Sequence, residues 1–304
     1  MTLDRVKLVS AALVTILAAC VLPAAQAQGS YRYLKIDVPN GVDTRAFGIN
    51  ARGDIVGKYT DADGVQHGYL LHKGAFSIID FPNAQYTTSA RGINARGDIV
   101  GVVRDADGNS HGFLLRDGQF TQIDYPGGSS TQAFGINNSG DITGEYFTAF
   151  GNPRGFILAD GIFHNVPVPA GTNLGVHGAQ DNGRVMVGDV VLSSDLSNHG
   201  FLRNKSGTTQ LIDFPGTSVP CTFARGINER GDIAGAFANV GTNDDCNNAP
   251  PAHGFALRDG TYTAIDFPGS PDTFVTAIND DGVIVGLFTD KKGNGHGFTA
   301  VPLN

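Results

Sequence analysis

The stretch GINARGDIVG occupies Gly48–Gly57 and returns, letter for letter, at Gly92–Gly101. A catalytic motif needs one copy, whereas a building block needs several. Aligning on the Gly-Ile-Asn core gives six copies: these two, GINNSGDITG at Gly135, GAQDNGRVMVG at Gly178, GINERGDIAG at Gly226 and AINDDGVIVG at Ala277. The copy at Gly178 is degenerate and one residue longer. Spacings run 44, 43, 43, 48 and 51 residues. Around each core lies a longer frame: Ile-Asp-Phe-Pro, a short loop, the core, a variable loop, His-Gly-Phe, then Asp-Gly.

Each frame reads as four short strands. In the first copy Thr44–Ile49 alternates and ends in the turn Asn50-Ala51-Arg52-Gly53, where glycine accepts a left-handed backbone. Asp54–Thr60 follows, then a strand opening at His67-Gly68-Tyr69 and turning at Lys73-Gly74. The fourth, Ala75–Phe81, stops at Pro82, which has no N–H to extend a ladder. No segment shows helical periodicity. Four-stranded units of this length, repeated, predict an all-β chain folded as a single β-propeller.

The chain ends set the number of blades. Tyr31–Asp37 matches a fourth strand with no preceding three, and the chain stops after His296-Gly297-Phe298, a third strand lacking its fourth. Joined, the two fragments make one blade, so the expectation is six blades with the ring closed by the N-terminal strand. A linear solenoid would need distinct caps, and none is visible.

Turn lengths fix what faces the recurring histidines. They place His67 opposite Asp80, His111 opposite Asp124, His199 opposite Asp213 and His253 opposite Asp266. His296 has Asp37 of the N-terminal strand. The third copy carries Arg154 and Pro167 instead, losing both partners together. An active site needs one converging set of groups. A pair repeated in five blades, with no recurring Ser or Cys beside it, is expected to be a scaffold device.

This frame, Gly-Ile-Asn through Ile-Val-Gly to His-x-Phe, resembles the bacterial HAF-type extracellular repeat, with His-Ala-Phe written here as His-Gly-Phe or His-Gly-Tyr. The resemblance spans nearly all of the chain after its first thirty residues. It implies an exported bacterial protein and brings no catalytic residues with it.

The N-terminus agrees with export. Arg5 and Lys7 precede an apolar run, Leu8–Leu22, then Pro23 and the small residues Ala25 and Ala27. Residues 1–27 therefore read as a signal peptide, leaving 28–304 as the propeller. A second reading stays open, because Leu17-Ala18-Ala19-Cys20 resembles a lipobox that would leave a lipid anchor at Cys20. The expected location is secreted or periplasmic, without a transmembrane segment. A net charge of -8 lacks the basic footprint of a nucleic-acid binder. After the signal, Cys221 and Cys246 remain, and an exported pair on one face of one blade predicts a disulfide.

Loops joining second to third strands, and blade to blade, share one face and vary; the other turns are uniform. Variable loops carry specificity, so this face is the candidate binding surface. Its longest loop, Val240–Ala252, contains Asp244 and Asp245. Arg91 and Arg225 precede the core glycine in opposite blades and are candidates for an anion in the central funnel, or for strand arginines stacked and ion-paired in place. Asp61-Ala62-Asp63-Gly64 and Asp105-Ala106-Asp107-Gly108 resemble the opening of a calcium loop but lack its closing Glu, so plain turns are expected. Metalloprotease, nucleophile-elbow and P-loop motifs are absent, and no cofactor is implied. The sequence thus points to a binding or scaffold module for an extracellular carbohydrate or protein ligand. The alternative is a carbohydrate-active or other hydrolytic enzyme using clustered carboxylates such as Asp61, Asp63, Asp244 and Asp245.

Overall fold

A computed structural model of the chain describes residues 31–82, 87–167, 173–239, 246 and 252–303. β1 is Tyr31–Ile36; the first complete unit follows with β2 (Asp43–Ile49), β3 (Ile55–Thr60), β4 (Gln66–His72) and β5 (Ala75–Ile79). The second has β6 (Thr87–Ile93), β7 (Ile99–Arg104), β8 (Ser110–Arg116) and β9 (Gln119–Ile123). The third has β10 (Ser130–Ile136), β11 (Ile142–Phe147), β12 (Pro153–Ala159) and β13 (Ile162–Asn165). The fourth has β14 (Asn173–Ala179), β15 (Met186–Val191), β16 (Asn198–Arg203) and β17 (Thr209–Ile212). The fifth has β18 (Thr222–Ile227), β19 (Ile233–Phe237), β20 (His253–Arg258) and β21 (Thr261–Ile265). The last strands are β22 (Asp272–Ile278), β23 (Ile284–Thr289) and β24 (Gly295–Pro302).

The chain is all-β among the described residues and its strands form four-stranded antiparallel blades in a propeller arrangement. Consecutive strands pair within each unit, and one parallel bridge, Gln66 to Thr87, ties the first two units together. The sheet of β22, β23 and β24 takes β1 as its fourth member, with Tyr31 opposite Pro302 and Ile36 opposite Gly297.

The aromatic residue of the His-Gly-Phe triplet, or of its variants His-Gly-Tyr and Arg-Gly-Phe, supplies each blade's core. Tyr69, Phe113, Phe156, Phe201, Phe255 and Phe298 are all fully buried. Each ring lies over the glycine that ends the ten-residue core. At Gly101 an added Cβ would collide with the Ser89 carbonyl oxygen and stand 2.7 Å from the Phe113 ring. The second strand's glycine is therefore the seat for the third strand's aromatic ring.

Fourth strands end earlier than the sequence suggests: β5 stops at Ile79, not Phe81. Asp80 turns its carboxylate towards His67, and the Phe81 N–H donates to Thr88 Oγ1 of the next blade at 3.1 Å. The same cross-blade donation recurs from Val38 to Thr44, Tyr125 to Thr131, Phe214 to Thr222 and Phe267 to Thr273.

A second relay runs through the turn asparagines. Asn50 Nδ2 donates to Asn94 O, Asn94 to Asn137 O, Asn137 to Gln180 O, Gln180 to Asn228 O, Asn228 to Asn279 O, and Asn279 to Asn50 O, at 2.9–3.2 Å. Within its own turn Asn50 Oδ1 accepts from the N–H groups of Arg52 and Asp54. One buried amide thus satisfies its own turn and its neighbour's carbonyl.

Candidate functional site

Every inner strand carries a register shift at one place: between Ala46 and Gly48, Ala90 and Gly92, Ala133 and Gly135, Val176 and Gly178, Ala224 and Gly226, Val275 and Ala277. The skipped residues are Phe47, Arg91, Phe134, His177, Arg225 and Thr276. A β-bulge re-aims the side chain of its extra residue. All six side chains line one central cavity of about 460 Å³. The isoleucines beside the asparagine relay, Ile49, Ile93, Ile136, Ile227 and Ile278, belong to its lining.

Tight packing of the inner strands accounts for the glycine after five of the six bulges; the sixth is followed by Ala277. A Cβ on Gly48 would meet Arg91 O at 2.7 Å, and one on Gly92 would meet Phe134 O at 2.9 Å. A second tier comes from residues paired directly across the first two strands and so sharing a face, of which Arg45, Gln132, Phe274 and Leu287 line the cavity. These pairs are Arg45 with Lys58, Gln132 with Glu145, Gly175 with Asp189, and Phe274 with Leu287. Gly175 presents no side chain where its counterparts do. An added Cβ there would lie 3.2 Å from Glu145 Oε2 and 3.1 Å from His177 Nε2. Glu145 and His177 consequently close over the place its side chain would take, and His177 reaches Asp189 beside it.

The charges in this cavity are unevenly matched. Arg225 lies 3.2 Å from Asp189, its guanidinium over the rings of Phe223 and Phe274. His177 Nε2 is 2.8 Å from Asp189 Oδ1, and its ring stacks on Phe134 with centroids 4.6 Å apart. Arg45 is held by Asp43 at 2.9 Å. Arg91 stands apart: its guanidinium lies 4.1 Å from the Phe47 ring centroid, and no described carboxylate reaches ion-pair distance. Its Nε is buried without a hydrogen-bond partner among the described residues.

Proton affinities follow from that crowding. Burial, with the Asp189 charge adding to it, raises the Glu145 carboxyl to about 7. Burial and the Arg225 charge bring His177 down to about 4, so the imidazole is neutral. Asp189 stays below the usual carboxylate range: burial opposes ionisation, but Arg225 and His177 outweigh it. Arg91 falls to about 10 through burial and the neighbouring Arg225 and Arg45. Lys58 falls to about 8 for the same reasons, with Arg45 and Arg91 as its neighbours, and donates to Gln66 Oε1 at 2.9 Å.

The residues singled out in the sequence divide between this cavity and the frame. Arg91 and Arg225 both line the cavity. The five histidines meet the aspartates opposite: His67–Asp80 at 3.0 Å, His111–Asp124 at 2.7 Å, His199–Asp213 at 3.0 Å, His253–Asp266 at 3.1 Å and His296–Asp37 at 2.6 Å. Four of them meet a second aspartate through Nε2: Asp61, Asp105, Asp195 and Asp290, at 3.2–3.4 Å. Asp61 Oδ1 also accepts from the N–H groups of Asp63 and Val65, and Asp105 Oδ1 from those of Asp107 and Asn109. These loop aspartates are occupied by their own turn and the nearby imidazole. Among the described residues no group of three His, Cys, Asp or Glu side chains is disposed to hold a metal ion. Cys221 and Cys246 form a disulfide. Asp244, Asp245, Cys20 and residues 1–27, read from the sequence as a signal peptide, lie outside the described residues.

Sequence reasoning passed over His177, Glu145, Asp189 and Lys58. The signal was the residue after the core's last glycine. It is apolar in three blades, as Val102, Ala236 and Leu287, and charged in the other three, as Lys58, Glu145 and Asp189.

No family model matches the chain, and no curated protein does. Among solved structures it is similar to a triple mutant of AofleA from Arthrobotrys oligospora, with TM-score 0.56 and 11% identity over 91% of each chain. It is also similar to the Aleuria aurantia lectin in complex with Fucalpha1-6GlcNAc, with TM-score 0.53 and 12% identity over 86% of this chain and 96% of that one. A neuraminidase-like protein of A/little yellow-shouldered bat/Guatemala gives TM-score 0.51 and 10% identity over 92% of this chain and 100% of that one. At these identities the likeness is one of fold. Among the described residues no helix is long and apolar enough to cross a membrane.

Proposed function

We propose that the protein is an exported binding module, a six-bladed propeller closed by its N-terminal strand, that takes a small ligand into the central cavity. One observation carries this reading. The side chains repeated from blade to blade bond to each other, whereas the six bulged side chains are of four kinds, Phe, Arg, His and Thr, and share one cavity. Repetition there serves the frame, and divergence serves recognition. A cavity of about 460 Å³ with aromatic walls and few convergent polar groups suits a small-molecule site.

The β1–β24 ladder and the Asn279–Asn50 bond support closure. The resemblance to HAF-type repeats, the signal-like residues 1–27 and the Cys221–Cys246 bond support export to an oxidising compartment. Intact mass of the exported chain distinguishes a start at Gln28 from an acylated Cys20.

The test of binding is thermal unfolding of the chain from Gln28 against a panel of saccharides and organic acids. A ligand at a hundred times its dissociation constant adds about 2.7 kcal/mol to folding stability. Stabilisation that disappears when the cavity is altered supports the reading, and binding indifferent to the cavity removes it.

A hydrolytic role is favoured by one specific feature. Glu145 and Asp189 lie close to the cavity residue His177 with opposite proton affinities, as an acid and a carboxylate would. Turnover of a bound glycoside that is lost in Glu145→Gln would establish it.

A further inference from the structure

We propose that the cavity's ligand is a hydroxylated organic acid whose carboxylate is received by Arg91. This rests on the binding reading above and names the class of ligand.

The asymmetry among the three cavity arginines carries the argument. Arg45 has Asp43 and Arg225 has Asp189, each as an ion-pair partner. Arg91 has the Phe47 ring beneath its guanidinium and no described carboxylate within ion-pair distance, while the Nε atoms of Arg91 and Arg225 alike lack a hydrogen-bond partner among the described residues. A cation withdrawn from water needs a counter-charge or strong hydrogen bonds. Stacking on Phe47 holds the guanidinium plane and leaves its edge to donate two parallel hydrogen bonds to a planar carboxylate. A compact phosphate would gain less from a single fork with no helix N-terminus or loop of backbone amides beside it.

The rest of the ligand is described by the remaining walls. With no side chain on Gly175, Glu145 Oε2 and His177 Nε2 come within 3.2 and 3.1 Å of where its Cβ would stand, and the His177 ring lines the cavity. Gln132, which donates to Glu145 Oε1 at 3.1 Å, adds an amide. These groups donate and accept, as hydroxyls require. Phe134 and Phe274 supply apolar faces for a ring or carbon chain.

Glu145 then couples binding to protons. The groups facing it are Asp189 from β15, Arg225 from β18, Arg91 from β6, neutral His177 from β14 and neutral Gln132 from β10. An arriving carboxylate neutralises Arg91, removing a charge that favours ionised Glu145. Glu145 takes up a proton on binding, so affinity rises as pH falls through neutrality.

The test is calorimetric titration of the chain from Gln28 with glucuronate, galacturonate and 4-hydroxybenzoate, each beside its uncharged amide. The expected result is that at least one acid binds tenfold or more tightly than its amide. Arg91→Gln should abolish that preference, and Arg91→Lys should recover part of it. Titrations in two buffers of different ionisation heat should show proton uptake near pH 7, absent in Glu145→Gln. Should the Arg91 variants fail to fold, the acid–amide ratio and the proton uptake of the unaltered chain decide alone. Amides binding as tightly as acids, with Arg91→Gln silent, overturns the carboxylate assignment and leaves the cavity reading standing. No binding of acid or amide overturns the assignment as well, and the wider panel then judges the cavity.

Discussion

His296 Nδ1 lies 2.6 Å from Asp37 Oδ1 although 259 positions separate the two residues. The contact joins the last blade to the strand that begins the described chain, alongside the β1–β24 ladder. Removing residues 28–37 should leave β24 as a bare edge, which pairs readily with another chain. Size-exclusion chromatography should show dimers or aggregates in place of a monomer peak. Asp37→Ala alone keeps the ladder and, with Asp37 partly exposed, should cost only about 1 kcal/mol. A monomeric, equally stable truncation would contradict the role given to β1.

The five His–Asp pairs should not be equivalent in energy. The His199 side chain is 5% exposed and meets both Asp213 and Asp195. That of His253 is 39% exposed and meets Asp266. Deleting the buried partner strands its aspartates, whereas water replaces much of the exposed one. Urea unfolding should give a loss of about 2 kcal/mol for His199→Ala and under about 1 kcal/mol for His253→Ala. The reverse order would deny these pairs a scaffold role.

Stability should also depend on pH through these imidazoles. Burial works against protonating His67, His111 and His199, but the hydrogen bonds and charges of their aspartates outweigh it, so all three sit above the ordinary histidine value. A raised folded value means extra stability that is whole below the unfolded pKa of about 6.5. It is lost as pH rises through the folded value. The gap between the parent and His199→Gln should therefore narrow from pH 5.5 to pH 8.5. A gap that widens with pH would reverse the sign of the coupling. At the acid end Asp105, lowered to about 2 by its bonds to His111 and Asn109, opposes unfolding until pH drops through that value.

The frame was legible because its determinants repeat. Asp-Gly turns of constant length bring His111 to Asp124, and the split blade at the chain ends places Tyr31–Ile36 beside the last strand. The cavity was less legible for a reason rooted in the backbone. Simple alternation along Thr44–Ile49 assigns Phe47 a regular place in the ladder, but the bulge before Gly48 lifts it out and aims it inward. Arg91 was noticed for its charge; His177 was missed because its copy of the motif is degenerate. Glu145 gains its place beside His177 from Gly175, a residue in a different strand whose missing side chain lets the two groups approach.

Glycines in this chain do two kinds of work, and one pair of substitutions separates them. Gly108 has φ +86 with nothing within 4 Å of an added Cβ. Alanine there is strained only by its left-handed backbone, at about 1 kcal/mol. Gly101 sits in a strand, yet its added Cβ would collide with the Ser89 carbonyl and press on the Phe113 ring at 2.7 Å. Backbone and a fully buried aromatic ring cannot both yield, since the ring is itself the blade's core. Gly101→Ala should therefore cost about 3 kcal/mol, near the upper range for overpacking. Chemical unfolding of the two variants measures the difference. Equal losses would mean that the ring over the second-strand glycine is loosely seated, and that the conserved geometry of the blade rests on its turns alone.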